Sequence, residues 1–302
     1  MTGQISPARV APPEPIRFRL TGRSVTLDGR VHAVRPDLAD ISLAGTLFSA
    51  HYARAVAMTC VAAGSAVVDT PSPGAQAISQ LLRGETFHAL DVTTHWTWGF
   101  CGHDGYVGYV RRDALDVLEI PTHRVVGRPA PLFISADIKA PITAFWPTGA
   151  LFKGLEEGDF VDTGEGFLHR RHAAPVDALE NDWVAAAERH LGQPYVWGGR
   201  GHRGVDCSGL VQAALGRCGM RVPRDTDLQR EGIGTPVPAG EAPRRGDLVF
   251  FPGHVGIMID AANLLHANAH WMAVVAEPLA DVVGRLAPTH AEPILAIRRI
   301  MP

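Results

Sequence analysis

Residues 192–220 read GQPYVWGGRGHRGVDCSGLVQAALGRCGM, a glycine-rich loop that opens onto an amphipathic helix with Cys207 in its first turn. Unpaired backbone N–H groups and the positive end of the macrodipole gather at such a helix start. That setting favours a thiolate and predicts a lowered thiol pKa, which a nucleophile working near neutral pH requires. A nucleophilic Cys also needs a base. Further along, GDLVFFPGHVGIMID sets His254 at the head of a strand, directly after the Pro252-Gly253 turn. On the next strand Leu264 and His266 alternate with Leu265 and Ala267. His266 is thereby placed to bond the distal ring nitrogen of His254 and to fix its tautomer and orientation. The chemistry of such a trio is acyl transfer through a covalent thioester. Each member also has an ordinary reading, Cys207 as a small buried residue and either His as a satisfied core or surface group among the 14 in the chain.

These side chains need elements to hold them. Residues 176–191 carry a helical stripe of Leu179, Trp183, Ala186, Ala187 and His190, with Asp177 as a cap and Gly192 at the C′ position. A second helix, starting at Asp206 or Cys207, presents Leu210, Val211, Ala214, Leu215 and Cys218 on one face. Strands are expected over 247–251, 254–260, 263–267, 273–275 and 294–300. Helices followed by an antiparallel sheet make residues 176–302 an α+β domain. Upstream the texture differs. Residues 1–15 are a Pro-rich arm, and 16–120 are short alternating runs with hairpin turns at Asp28-Gly29 and Asp104-Gly105. One helical patch, 35–50, interrupts them. Residues 121–175 repeat the style, so the two segments together predict two small all-β barrels.

Composition limits the alternatives. Hydrophobic residues make up 46% of the 302 and charged residues 20%, enough for sizeable cores and incompatible with wholesale disorder. A net charge of −3 gives no electrostatic case for nucleic acid as a partner. No window reaches the length of a membrane span, and the first twenty residues lack an export-signal pattern, so a soluble cytoplasmic protein is expected. The four cysteines are then free thiols, and Cys207 and Cys218, roughly 16 Å apart along one helix, are too distant to bridge. Without CxxC or HExxH spacing, a zinc site built from Cys207, His254, His266 and His270 is set aside. The run Gly198-Gly199-Arg200-Gly201 lacks the Lys-Ser/Thr of a phosphate loop.

PYVWGG, DCSGL, GDLVFF followed by HVGI, and LLHA, in that order, resemble the NlpC/P60 family of cysteine peptidases over residues 176–300. The resemblance implies a papain-like α+β core with Cys207 as nucleophile, His254 as general base and acid, and His266 as third member. It also implies Tyr195 beside the nucleophile, and no metal or organic cofactor. With SH3-like domains ahead of it, the chain looks like the cytoplasmic subgroup that hydrolyses the γ-D-glutamyl–diamino acid bond of free murein peptides. In that subgroup the acidic residue before the nucleophile, here Asp206, holds the ammonium of a free N-terminal L-Ala. A Glu and a Tyr of the first SH3-like domain assist, which implies Glu85 and either Tyr106 or Tyr109. Ser208 and Thr226 would line the same pocket, with Thr226 standing where the subgroup carries Ser. The ordinary readings are a helix cap for Asp206, a solvated hairpin charge for Glu85 and a barrel-core aromatic for Tyr106. Two rivals are a secreted endopeptidase that grips the wall through its SH3-like domains and a silent module that only binds muropeptides.

Overall fold

The computed structural model describes residues 25–201 and 203–300; the expected arm over 1–15 lies outside them. Its first large element is a seven-stranded antiparallel sheet in the order Leu115–Val117, Val56–Cys60, Thr86–Val92, Trp96–Cys101, Val107–Arg111, Gly64–Val68, Ala77–Leu82. Alternating residues bury one face around Cys60, Val67, Leu81, Phe87, Cys101 and Val110. The Asp104-Gly105 turn joins the Trp96–Cys101 and Val107–Arg111 strands as expected, with Gly105 at φ +81°. The turn at Asp28-Gly29 is not a hairpin. No strand flanks it among the described residues, and the Asp28 carboxylate instead holds Arg30 at 2.7 Å. The helical patch expected over 35–50 is corrected as well. Pro36 disfavours helix at Arg35 and Gly45 turns left-handed, so the chain makes short strands, Val34–Arg35 and Leu38–Asp40, and a 3₁₀ turn, Ile41–Leu43.

A second β unit has its own sheet and core. Five strands in the order Ile142–Trp146, Ala130–Phe133, Phe167–His169, Phe160–Asp162, Leu155–Glu157 stand beside a three-stranded sheet centred on His123–Val125. Leu132, Trp146, Phe152, Val161 and Leu168 fill the space within.

The C-terminal part opens with helix α1, Trp183–Glu188, shorter than the 176–191 expected and capped by Asp182 rather than Asp177. Helix α2, Cys207–Arg217, follows, then α3, Thr226–Gly232. A six-stranded antiparallel sheet completes it, in the order Thr235–Pro236, Ala296–Arg299, Asp247–Phe251, His254–Met258, Asn263–Asn268, Ala273–Pro278. Leu210, Val211, Ala214 and Leu215 of α2 pack on Leu248, Phe250, Val255, Ile257 and Leu265, one face of that sheet. Val249, Phe251, Met258 and Leu264 point the other way and are covered by α4, Leu279–Leu286, through Val282. Apolar side chains on both faces explain why these strands read as continuous hydrophobic runs. Among the described residues, no helix is long and apolar enough to cross a membrane.

Candidate active site

Cys207 is the first residue of α2 and is 7% exposed. Its sulfur lies where the backbone N–H groups of Ser208 and Val255 point at it. Val255 directly follows His254 in strand His254–Met258, so the chain brings the backbone beside the imidazole to the sulfur, and no hydrogen bond joins thiol and ring among the described residues. The expected lowering of the thiol pKa is not what this setting produces. Burial, reinforced by the Asp206 charge, pushes it up to about 11, against the pull of the two amides and Arg224. Desolvation outweighs the helix terminus because the sulfur is shut away from water.

His254 Nε2 lies 2.8 Å from His266 Nδ1, the relay expected from the sequence. With Nε2 so engaged, Nδ1 is the ring nitrogen left for the thiol. Burial pushes the His254 pKa down to about 3, aided by repulsion from His266, and burial also lowers His266. The free site therefore holds a neutral thiol and neutral imidazoles. No motif pointed to the group that comes next. His266 Nε2 lies 2.8 Å from Glu277 Oε1, whose carboxylate also takes Arg285 Nη2 at 2.5 Å and the Trp271 indole N–H at 3.3 Å. Glu277 sits on Ala273–Pro278, paired with Leu264 and hence on the same sheet face as His266. Tyr195 is half-buried beside the thiol; burial and then the Cys207 and Asp206 charges raise its pKa to about 12.

The residues expected around a substrate ammonium each have partners within the chain. Asp206 caps α2 through Gly209 N–H at 2.7 Å, takes Gly198 N–H at 2.8 Å, and forms a two-pronged buried ion pair with Arg224. Ser208 belongs to the same cluster, its Oγ accepting from Arg224 Nη1 at 2.7 Å. Glu85 is buried elsewhere, against Arg200 Nη1 at 3.1 Å and the Leu82 N–H at 2.8 Å; burial opposes its charge, but Arg200 and His103 win and its pKa falls. Tyr106, not Tyr109, crosses to the C-terminal part and donates to Asp225 Oδ2 at 2.8 Å. Thr226 opens α3 one residue on. Both carboxylates expected to share an ammonium therefore already hold a guanidinium each, because a buried carboxylate needs its own cation. Arg200 and Arg224 went unread in the sequence. A search for cations to match a buried Asp206 would have led to Arg224, in PRDTD.

The first β unit closes on this region. Strand Ala77–Leu82 lies against loop 198–201 so closely that a Cβ on Gly198 would meet Ala77 atoms at 3.3 Å, and one on Gly201 would meet Leu82 at 2.8 Å. Gln80 accepts the Arg200 N–H at 3.1 Å and Ser79 accepts Arg224 Nε at 3.1 Å. All four cysteines are free, as expected.

Residues 192–282 match the family model described as "NlpC/P60 family", and 67–115 match "Bacterial dipeptidyl-peptidase Sh3 domain". The chain is 29% identical over 182 residues to the gamma-D-glutamyl-L-lysine dipeptidyl-peptidase of Bacillus subtilis (strain 168), spanning 54% of this chain and 60% of that one. It is 33% identical over 117 residues to Dipeptidyl-peptidase 6 of Lysinibacillus sphaericus, spanning 38% and 43%. The chain thus spans about half the length of these curated relatives. The crystal structure of an NlpC/P60 family protein from Bacillus cereus ATCC 10987 shares the fold, with a TM-score of 0.69 at 19% identity over 82% of this chain and 100% of that one. A sheet-rich chain whose cysteine helix lies against an antiparallel sheet, with a β unit seated on its glycine loop, thus carries an NlpC/P60 domain joined to a bacterial dipeptidyl-peptidase SH3 domain.

Proposed function

We propose that the chain is a cysteine endopeptidase that hydrolyses the γ-D-glutamyl–diamino acid bond of free murein peptides with an N-terminal L-Ala, as a step of cell-wall peptide recycling in the cytoplasm. The observation that carries this reading is strand Ala77–Leu82 seated on loop 198–201 beside the nucleophile. In this reading that strand closes one end of the substrate site, so that a short peptide with a free end would fit and a chain anchored through that end would not. With Asp206 and Glu85 engaged by arginines, selection for the free amine rests on this wall rather than on paired carboxylates. The names of the two dipeptidyl-peptidase relatives agree with it. The division into 16–120, 121–175 and 176–302, with a second SH3-like module in the middle, belongs to the same proposal.

The reaction follows from the neutral resting state. As substrate enters, the Cys207 proton passes to Nδ1 of His254, and the sulfur attacks the γ-carbonyl carbon. The oxygen that gains the electron pair is held by the backbone N–H of Cys207. Collapse breaks the C–N bond, His254 hands its proton to the departing amine, and a γ-glutamyl thioester remains. Water then gives a proton to His254, attacks the thioester and releases L-Ala-D-Glu, after which the proton returns to the sulfur.

Mass spectrometry of products from L-Ala-γ-D-Glu-diaminopimelate tests it. Cys207→Ala should abolish cleavage without changing the circular dichroism, and retained turnover removes the mechanism. N-acetylation of the L-Ala should slow the wild-type enzyme by about tenfold or more, the scale of a steric exclusion worth roughly 1.4 kcal/mol. Equal rates on both peptides refute the walled end while leaving the thiol chemistry standing.

A further inference from the structure

On the far side of α2 from Cys207, a cavity of about 360 Å³ opens where the two β units and the NlpC/P60 domain meet. Its lining includes Glu85 and His103 from the first β unit, Arg124 and Thr148 from the second, and Gln212 and Arg217 from α2. None of Cys207, His254, His266, Tyr195 or Asp206 belongs to it. Five guanidiniums line this space, those of Arg124, Arg189, Arg200, Arg217 and Arg221. Among the described residues, two carboxylates answer them. Glu85 takes Arg200, and Glu180 is shared between Arg189 and Arg217. Arg124 and Arg221 have no carboxylate within ion-pair distance among the described residues. Arg124 donates to the Val176 carbonyl, and Arg221 to the carbonyls of His103 and Gly102 at 3.0 and 3.1 Å.

A second observation points the same way. Five buried side-chain polar atoms lack a hydrogen-bond partner among the described residues, and three of them belong to this lining: Arg124 Nε and both ring nitrogens of His103. Native structures leave few such atoms, and each calls for a bound partner or a functional role. The imidazole nitrogens lie 3.4 Å from Glu85 and 3.1 Å from Asp104, close enough for attraction but poorly directed for bonding. Burial and the Arg217 charge both press on the Arg124 cation, and an anion would relieve that pressure.

We propose that this junction cavity binds a small multivalent anion, a phosphate ester or a dicarboxylate, held by the forked donors of Arg124 and Arg221. Guanidinium is suited to both because its planar donors match two oxygens at once. The volume lies at the lower end of the range for ligand pockets, about 300–1,000 Å³. Because the lining comes from all three parts of the chain, such a ligand ties them together and stabilises the whole by mass action. This site stands apart from the hydrolytic reading, and its test does not use cleavage.

The test is calorimetric titration and thermal unfolding of the full chain with inorganic pyrophosphate and with glutarate, ionic strength being held constant with chloride. Expected is a Kd below about 1 mM for at least one of them and a rise in Tm with its concentration. Pyrophosphate alone assigns a phosphate ester, and glutarate alone a dicarboxylate. Arg221→Ala and, separately, Thr148→Glu, which adds a competing carboxylate without removing an arginine, should each weaken binding at least tenfold. Absence of binding by both anions, or equal binding in wild type and a folded Thr148→Glu variant, overturns the proposal.

Discussion

Glu277 illustrates what one residue adds to a site whose other members are evident from their motifs. It fixes which nitrogen of His266 carries a proton, and so which faces His254, much as a carboxylate orients an imidazole in a Ser-His-Asp triad. Glu277→Gln keeps the shape and removes the charge. In the proposed reaction it should lower kcat about tenfold or more with KM little changed, as steady-state kinetics on the tripeptide would show. An equal change in both constants would make Glu277 a packing residue. The histidines also set a dependence on acid. Folded His254 stays neutral down to about 3, whereas the unfolded residue protonates near 6.5. Between those values the unfolded state binds the extra proton, so stability is complete above pH 6.5 and declines as pH falls towards 3. Urea midpoints at pH 7 and pH 4.5 should therefore differ less in His254→Gln than in the wild type. The relay pair was legible because period-two alternation puts His254 and His266 on one face of neighbouring strands. Glu277 was not, because a single acid at a strand end carries no pattern.

At the scale of elements, α2 and the glycine loop are one unit. Gly209 has no room for a side chain, since a Cβ there would stand 2.1 Å from the Gly199 carbonyl oxygen and 2.9 Å from the Asp206 carboxylate. Gly209→Ala must push the loop from the helix start and break the cap. A loss of roughly 1–3 kcal/mol in urea unfolding is expected, along with a fall in tripeptide turnover. The local rules read these elements well. Asp206 as a cap, the helix from Cys207 and the hairpin around Pro252-Gly253 follow from short-range chemistry. They failed where breakers were underweighted, as at Pro36 and Gly45 in the patch over 35–50. They also missed α4, although Leu279, Val282, Val283 and Leu286 carry the spacing of a covering helix.

For the whole molecule, the contact between the SH3 and NlpC/P60 domains is built from buried ionic and polar groups instead of a greasy seam. Arg200 meets Glu85 across 115 residues of chain, Tyr106 meets Asp225 across 119, and Arg224 meets Ser79 across 145. No window of sequence spans such distances, which is why the arginine partners of Glu85 and Asp206 were not legible in the sequence. Arg200→Met or Glu85→Gln alone should cost about 3–5 kcal/mol, since either strands a charge or polar group out of water. The double variant should recover part of that, and a double-mutant cycle of urea denaturation curves measures the coupling. Strict additivity would mean the pair is incidental.

That seam bears on how such two-module chains can be rebuilt. Arg200, 7% exposed, and Arg224, 2% exposed, are neutralised or capped partly by groups from the other module. A chimera that grafts residues 176–302 behind an unrelated β-module would bring bare guanidiniums against a surface never shaped for them. The two modules are therefore not interchangeable beads on a string. A successful transplant has to carry Ser79, Gln80 and Glu85 with the cysteine.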